Sequence, residues 1–388
     1  MKWNSPVYIV DAKRSPIGRF CGGLKDLSAA DLVHAVGQAM LPDALKPSVD
    51  EVILGQVLQG GSGMNVARQL VLRLGLPKTT PAFTVNMACA SGLKAVALAA
   101  DSIASGAASL VLAGGVETMT RAPHYLRNMR DGHKLGDTAL EDAIFTDGLT
   151  DPILKLGMGE TAERIVDAFH VTREAQDAFA LTSQRRATAA REAFRREIVP
   201  IATRQCTIEQ DEHPRADTSP EKLAQLKPAF RPRGTVTAGN ASGINDGAAL
   251  VLLASESAML KNRLAPRARV VAVAAVGCEP ETMGLGPIYA VRRLFAETGW
   301  DMGDVGAIEI NEAFAAQTLA CARELGLDME KLNPRGGAIA LGHPVGCSGA
   351  RILVTLLHIM EDMKIPRGIA SLCVGGGMGI AMAVERSA

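Results

Sequence analysis

Residues 106–115 (GAASLVLAGG) align without a gap on residues 368–377 (GIASLCVGGG), with six of ten positions identical. A Ser-Gly pair stands upstream of each stretch, Ser91-Gly92 and Ser348-Gly349. Earlier still, Val52-Ile53-Leu54-Gly55 parallels Ile308-Glu309-Ile310-Asn311. One such match could arise by chance in a chain with 39 glycines, but three in the same order indicate duplication of one unit. A duplicated unit has to bring helix N-termini and strand ends of both halves together near the middle, a natural place for an active site.

Short apolar strands at 49–58, 109–116, 269–276, 305–310 and 369–374 alternate with helix-length segments such as the Ala-rich 91–105, which is α/β architecture. The middle, 117–245, differs: it is charged, contains Pro and Arg, and has helical stretches at 159–169 and 172–196 between irregular segments. It reads as an inserted, loop-rich domain. The expected units are therefore 1–116, completed by about 246–265, then the insertion 117–245, then 266–388.

With 41 basic and 41 acidic residues, no overall field draws the chain to nucleic acid or to an anionic membrane. No apolar run reaches the ~18 residues of a membrane span. The N-terminus enters a strand-like run, Val7-Tyr8-Ile9-Val10, with no visible targeting segment. A soluble protein in a reducing compartment is expected, with the cytoplasm as default. Seven dispersed cysteines without a C-x-x-C pair argue against a disulfide framework or a structural zinc site. Cys206, Cys278 and Cys321 read as small buried hydrophobes.

Four clusters can carry chemistry. Cys89 lies between the strand-like run 81–85 and the Ala-rich helix, where a helix N-terminus favours the thiolate, lowers the thiol pKa and offers N–H groups to an oxyanion. His343, in the stretch Gly336 to Gly349, is held by glycines and Pro344 just before a helix and can serve as general base. Cys373 runs into the turn Gly375-Gly376-Gly377; on the ungapped alignment its counterpart is Val111, a position packing can fill without a thiol. Asn311 places an amide at the end of an apolar strand, although Asn is also a common helix N-cap. Singly, none of these identifies an enzyme.

In this order and spacing, over essentially the whole chain, the clusters resemble those of thiolases. The resemblance implies duplicated mixed-sheet α/β domains layered α-β-α-β-α with an inserted loop domain. It implies Cys89 as acylated nucleophile, His343 as its base, Cys373 as the acid/base at the leaving thiolate or α-carbon, and Asn311 as the holder of a water that forms one oxyanion hole with His343. The backbone N–H groups of Cys89 and Gly375 would form the other.

The stretch 237–247 is similar to the family's pantetheine-contacting segment, which implies Ala238 and Ser242 as coenzyme A contacts, with Arg215 near the nucleotide and Phe230 near the pantetheine. Met158, Met283, Ala313 and Phe314 would line the acyl pocket, their ordinary alternative being plain core. The implied reaction is a ping-pong acyl transfer between coenzyme A thioesters, with coenzyme A as substrate, no metal or other cofactor, and a homodimer or homotetramer as assembly.

Residues 114–126 and 147–151 look more like the short-chain acetyl-CoA acetyltransferases than the long-chain degradative branch. Gly157 departs from that branch, whose members usually carry histidine there, and Asn333-Pro334-Arg335 is also less usual. Two other readings compete: a decarboxylating or carrier-protein-dependent condensing enzyme on a related fold, and a non-catalytic acyl-CoA or lipid-binding protein. The presence of all four clusters, Asn311 and Cys373 among them, favours the thiolase reading over both.

Overall fold

A computed structural model describes residues 2–387. Its main sheet is carried by β1 (Lys2–Arg14), β2 (Glu51–Gly55), β3 (Ala82–Val85), β4 (Leu110–Thr118), β5 (Asn245–Ala254), β6 (Ala268–Gly277), β7 (Ala307–Ile310), β8 (Arg367–Val374) and β9 (Met378–Arg386). They pair in the order β7-β8-β9-β6-β1-β5-β4-β2-β3. From the antiparallel join of β1 and β6, the sheet repeats outward: β6-β9-β8-β7 on one side, β1-β5-β4-β2 on the other. In each half the outermost of these pairs is parallel and the others antiparallel. The duplication is thus visible in the strand order.

The register corrects one part of the repeat. Matching bulges, between Ile9 and Asp11 in β1 and between Val270 and Ala272 in β6, equate Ile9 with Val270. Ile9 pairs with Leu253 and that residue with Val111; Val270 pairs with Val384 and that residue with Gly368. Val111 therefore corresponds to Gly368, and Val116, not Val111, to Cys373. The ungapped match of 106–115 on 368–377 is out of register, a likeness of two buried strands built from the same small residues. The match of 52–55 on 308–311 keeps the register, since Glu51 pairs with Val111 as Ala307 pairs with Gly368, and so do the Ser-Gly pairs, since Gly92 faces Ala350 as Gly349 faces Leu93.

Strand alternation sorts side chains into layers. On β4, Leu110 and Leu112 face a core shared with α1 (Ala29–Met40) and α2 (Val66–Arg73), whereas Val111 and Ala113 face the central core. On β8, Ile369 faces a core shared with α6 (Gly286–Thr298) and α7 (Ala315–Leu325), whereas Ala370 and Leu372 face inward. The central core holds α3 (Ser91–Ala104) and α8 (Val345–Asp362), which pack on each other and on strands of both halves. The stacking is α-β-α-β-α.

The two central helices cross near their first turns at backbone distance. A Cβ on Gly92 would lie 2.8 Å from the Ala350 nitrogen, and one on Gly349 2.5 Å from the Leu93 nitrogen. Both helices begin at this crossing, so the residues that precede them, Cys89 and His343, are delivered to the same end of the middle layer.

Between β4 and its neighbour β5 the chain makes a long excursion, 119–244, containing α4 (Met158–Phe169) and α5 (Arg173–Ala189), both packed on α7. The helix expected over 172–196 stops at Ala189, and a separate short helix follows over Arg191–Phe194. Among the described residues, no helix is long and apolar enough to cross a membrane. Cys206 is exposed and Cys278 half-buried, which corrects the expectation of buried thiols there; Cys321 is buried.

Because the atoms facing Gly349 belong to backbone, Gly349→Ala should lower stability by about 1–3 kcal/mol, the usual cost of overpacking. Gly148→Ala, whose Cβ would make ordinary contact with Leu58 at 3.4 Å, serves as control and should change it little. Denaturant melts of the two variants check this; equal midpoints would contradict the crossing geometry.

Candidate active site

The turn after β3 is stitched by side chains. The Asn86 Oδ1 accepts the Ala88 N–H at 2.9 Å, and the Ser91 hydroxyl accepts from the Met87 N–H at 2.9 Å while donating to the Ala88 carbonyl at 2.7 Å. Ala88 sits at φ +44°, a left-handed conformation that costs an alanine energy and recurs at functional turns. The strained turn presents the half-buried Cys89, whose flank packs against Val57, Leu58, Met119, Ile144 and Val345. The backbone N–H groups of Gly375 and of Cys89 itself act on its sulfur.

Burial pushes the Cys89 thiol up to about 11; the nearby Glu117 carboxyl adds to this and the two N–H groups only partly oppose it. The expected lowering of this thiol by a helix N-terminus is therefore corrected: desolvation outweighs the local N–H groups. Glu117 is itself buried, pushed up to about 7 by desolvation, and accepts N–H groups from Val57 (2.9 Å), Leu58 (3.2 Å) and Gly346 (2.9 Å). It fastens the first turn of α8 to the first half.

His343 is buried and held from both sides. Its backbone N–H donates to the Asn245 Oδ1 at 3.0 Å, and its Nδ1 lies 2.6 Å from the Ser348 hydroxyl. That hydroxyl donates its single proton to the Pro344 carbonyl at 3.0 Å, so it accepts from Nδ1–H. The assignment leaves Nε2 with its lone pair, the form a base requires, 3.5 Å from the Asn311 Nδ2. Burial, then the charge of Arg351, pushes His343 down to about 3. Both shifts favour the neutral thiol and the neutral imidazole over a resting thiolate–imidazolium pair.

Asn311 is fully buried at the end of β7, its backbone N–H donating to the Ser371 carbonyl at 3.0 Å. Asn333 braces that strand end by accepting the Ile310 N–H and donating to the Ile310 carbonyl, both at 2.9 Å. This supplies a physical role for Asn333, whose presence in the sequence suggested none. Cys373 is buried near the end of β8, its thiol raised by burial and then by the nearby Cys89. The hairpin after it requires glycine: Gly376 and Gly377 stand at φ +85° and +84°, and a Cβ on Gly377 would lie 2.4 Å from the Cys278 carbonyl oxygen.

Cys373, Met283, Ala313 and Phe314 share one apolar cluster with Met158 packed against it. A Cβ on Gly375 would lie 3.4 Å from the Met158 sulfur. Phe230 meets Phe314 edge to face at 5.9 Å between centroids, and the Ser242 N–H donates to the Ala313 carbonyl at 2.9 Å. Arg215 and Ala238 line an outer cavity of about 220 Å³ with His213 and Lys222. Arg215 and Ala238 thus lie at the outer cavity, Phe230 and Ser242 contact Phe314 and Ala313, and these two share the apolar cluster of Met158, Met283 and Cys373. Sequence reasoning passed over Ser348 as a histidine support, Asn245, Glu117 and His213. His213 is pushed down to about 4 by burial and then by Arg215 and Arg19.

A duplicated, five-layered α/β body with two facing thiols, a buried imidazole and an amide at its centre defines the class to compare. Residues 7–257 match the thiolase N-terminal domain and residues 264–386 the thiolase C-terminal domain. The chain belongs to the thiolase family. It is 51% identical to an acetyl-CoA acetyltransferase of Chromobacterium violaceum, over 98% of this chain and 99% of that one. It is likewise 51% identical to one of Escherichia coli, over 97% and 98%. A crystal structure of the human mitochondrial 3-ketoacyl-CoA thiolase in complex with CoA superposes with a TM-score of 0.96 at 42% identity, covering both chains fully. The Bacillus anthracis acetyl-CoA acetyltransferase gives 0.95 at 43%, also over both full chains.

With the thiol raised to about 11, the thiolate fraction grows about tenfold per pH unit through the neutral and mildly alkaline range. Alkylation of Cys89 by iodoacetamide in the free enzyme should therefore rise with a log-rate slope near one between about pH 7 and 9. A plateau reached below pH 7 would instead reveal a preformed thiolate–imidazolium pair.

Proposed function

We propose that this thiolase is an acyl-CoA C-acyltransferase that condenses two acetyl-CoA to acetoacetyl-CoA and coenzyme A, or thiolyses 3-ketoacyl-CoA, through an acyl-Cys89 intermediate. The observation that carries the reading is the Gly375 N–H on the Cys89 sulfur, which places the nucleophile against the glycine hairpin that follows Cys373. In thiolysis, the Cys89 proton passes to the His343 Nε2 as sulfur attacks the 3-keto carbonyl. The N–H groups of Cys89 and Gly375 stabilise the oxyanion, each such donor being worth about 3 kcal/mol of barrier. Cleavage of the carbon–carbon bond leaves an acetyl-CoA enolate, whose oxygen faces Asn311 and His343 and whose carbon takes the Cys373 proton. The Cys373 thiolate then takes the proton of the coenzyme A thiol as its sulfur attacks the acyl-Cys89 carbonyl, and the departing Cys89 thiolate recovers its proton from His343, which restores the resting enzyme.

In this reading Arg215, Phe230, Ala238 and Ser242 hold the coenzyme, and Met158, Met283, Ala313 and Phe314 bound the acyl group. The chain divides into 1–116 with about 246–265, a coenzyme-binding insertion 117–245, and 266–388. Coenzyme A serves as substrate and product rather than as a resident cofactor, and the assembly is a homodimer or homotetramer in the cytoplasm. The names of the relatives, acetyl-CoA acetyltransferase at about half identity, support the short-chain preference.

The test is coenzyme A-dependent cleavage of acetoacetyl-CoA beside longer 3-ketoacyl-CoA thioesters. The wild type should cleave the short substrate best, and Cys89→Ala should lose at least about four orders of magnitude, as removal of a nucleophile does. Preference for long chains would overturn the short-chain assignment; cleavage by Cys89→Ala at the wild-type rate would overturn the mechanism.

A further inference from the structure

Two ionisable side chains of the buried interior take no part in the reaction as described. Arg351 and Glu309 are both fully buried, with Nη1 and Oε2 3.7 Å apart, too far for a hydrogen bond. None of the guanidinium nitrogens and neither carboxylate oxygen has a hydrogen-bond partner in the protein. Leaving so many buried polar atoms unsatisfied is costly, and the fold does not demand it.

The duplication supplies the comparison. In register, Glu309 corresponds to Ile53 and Arg351 to Lys94. Ile53 is buried in the central core, so an apolar side chain fills this place in the first copy. Lys94 is only partly buried and lines an outer cavity with Trp3 and Asp101. The second copy has replaced an apolar contact with a buried pair of ionisable side chains on the half that carries His343.

Its position suggests why. Arg351 lies one helical turn after Ser348, which holds the His343 Nδ1, and Glu309 lies on the same strand face as Asn311, whose amide meets Nε2. The pair repeats, one layer deeper, the helix-to-strand contact made by His343 and Asn311. We propose that Arg351 and Glu309 form a positioning pair that sets the His343–Asn311 geometry. This rests on the acyl-transfer reading above.

The charge of Arg351 acts directly on His343, adding to burial in disfavouring the imidazolium. Other charged and titratable groups facing the pair are Arg14 on β1, Glu197 in the inserted segment, Cys347 on α8, and Glu312 and Arg335 near the end of β7. Burial raises Glu309, and Arg351 partly opposes this.

Three variants test the pair. Arg351→Met removes the cation, so the His343 pKa rises and the imidazole protonates at higher pH. Because burial still holds the imidazole low, the ratio of variant to wild-type rate should stay flat from about pH 8 to 6 and fall only as the pH approaches about 4, both for thiolysis and for iodoacetamide alkylation of Cys89. Glu309→Gln should lower kcat at least about tenfold, with KM within about threefold. Glu309→Ile with Arg351→Met restores the apolar filling of the first copy; it should melt no lower than wild type, as replaced buried ion pairs often do, yet remain about tenfold slower. A folded double variant with wild-type kcat and a pH-independent ratio would overturn the proposal. Because alkylation needs no turnover, it reads the pair even if acyl transfer is wrong, whereas failure of the wild type to cleave any 3-ketoacyl-CoA would count against the acyl-transfer reading alone.

Discussion

Two helices can approach within backbone contact only where neither presents a side chain. A Cβ on Gly92 or on Gly349 would meet a main-chain nitrogen of the other helix at 2.8 or 2.5 Å, closer than a Cβ tolerates. From that constraint much of the molecule follows. The half-sheets lie close enough for one central core, and the starts of α3 and α8 meet. The two loops that precede them carry Cys89 and His343. Gly115 makes the same demand from the sheet, since a Cβ there would lie 2.1 Å from the Gly346 carbonyl oxygen.

Around this crossing the two copies have diverged in opposite directions. The first supplies Cys89, the proposed nucleophile, on a strained turn and keeps an apolar interior. The second supplies His343, Asn311 and Cys373, and has a buried pair of ionisable side chains where the first copy has Ile53 and Lys94. Burial is also what sets the electrostatics: it holds Cys89 protonated and His343 neutral. The site therefore carries no charge separation until a substrate carbonyl arrives, and stabilisation falls on the oxyanion rather than on a resting ion pair.

Much of this was legible in the sequence. The Ser-Gly pairs and the parallel between 52–55 and 308–311 survive as true structural equivalences, and the four chemical clusters converge. The longest match did not survive, because small buried strands resemble one another in any register and only strand pairing distinguishes them. Cys373 stands opposite Val116, still a valine, so the contrast between thiol and packing residue holds with a different partner. The sign of the Cys89 shift was not legible, since it depends on how completely the turn is desolvated. Nor were Ser348, Asn245 and Asn333 legible as supports, because Asn245 and Asn333 act across contacts distant in sequence and Ser348 reaches back to His343 only through the first turn of α8.

The central claim is that Cys89, delivered by the helix crossing, carries the acyl group between the two half-reactions. Its most direct test is peptide mass spectrometry of enzyme mixed with acetyl-CoA and quenched in acid, in the wild type and in Cys373→Ala. The account predicts an acetyl adduct on the peptide containing Cys89 in both, persisting longer in the variant because the second half-reaction lacks its acid/base. An adduct on another residue, or none in an enzyme shown to turn over, would contradict it.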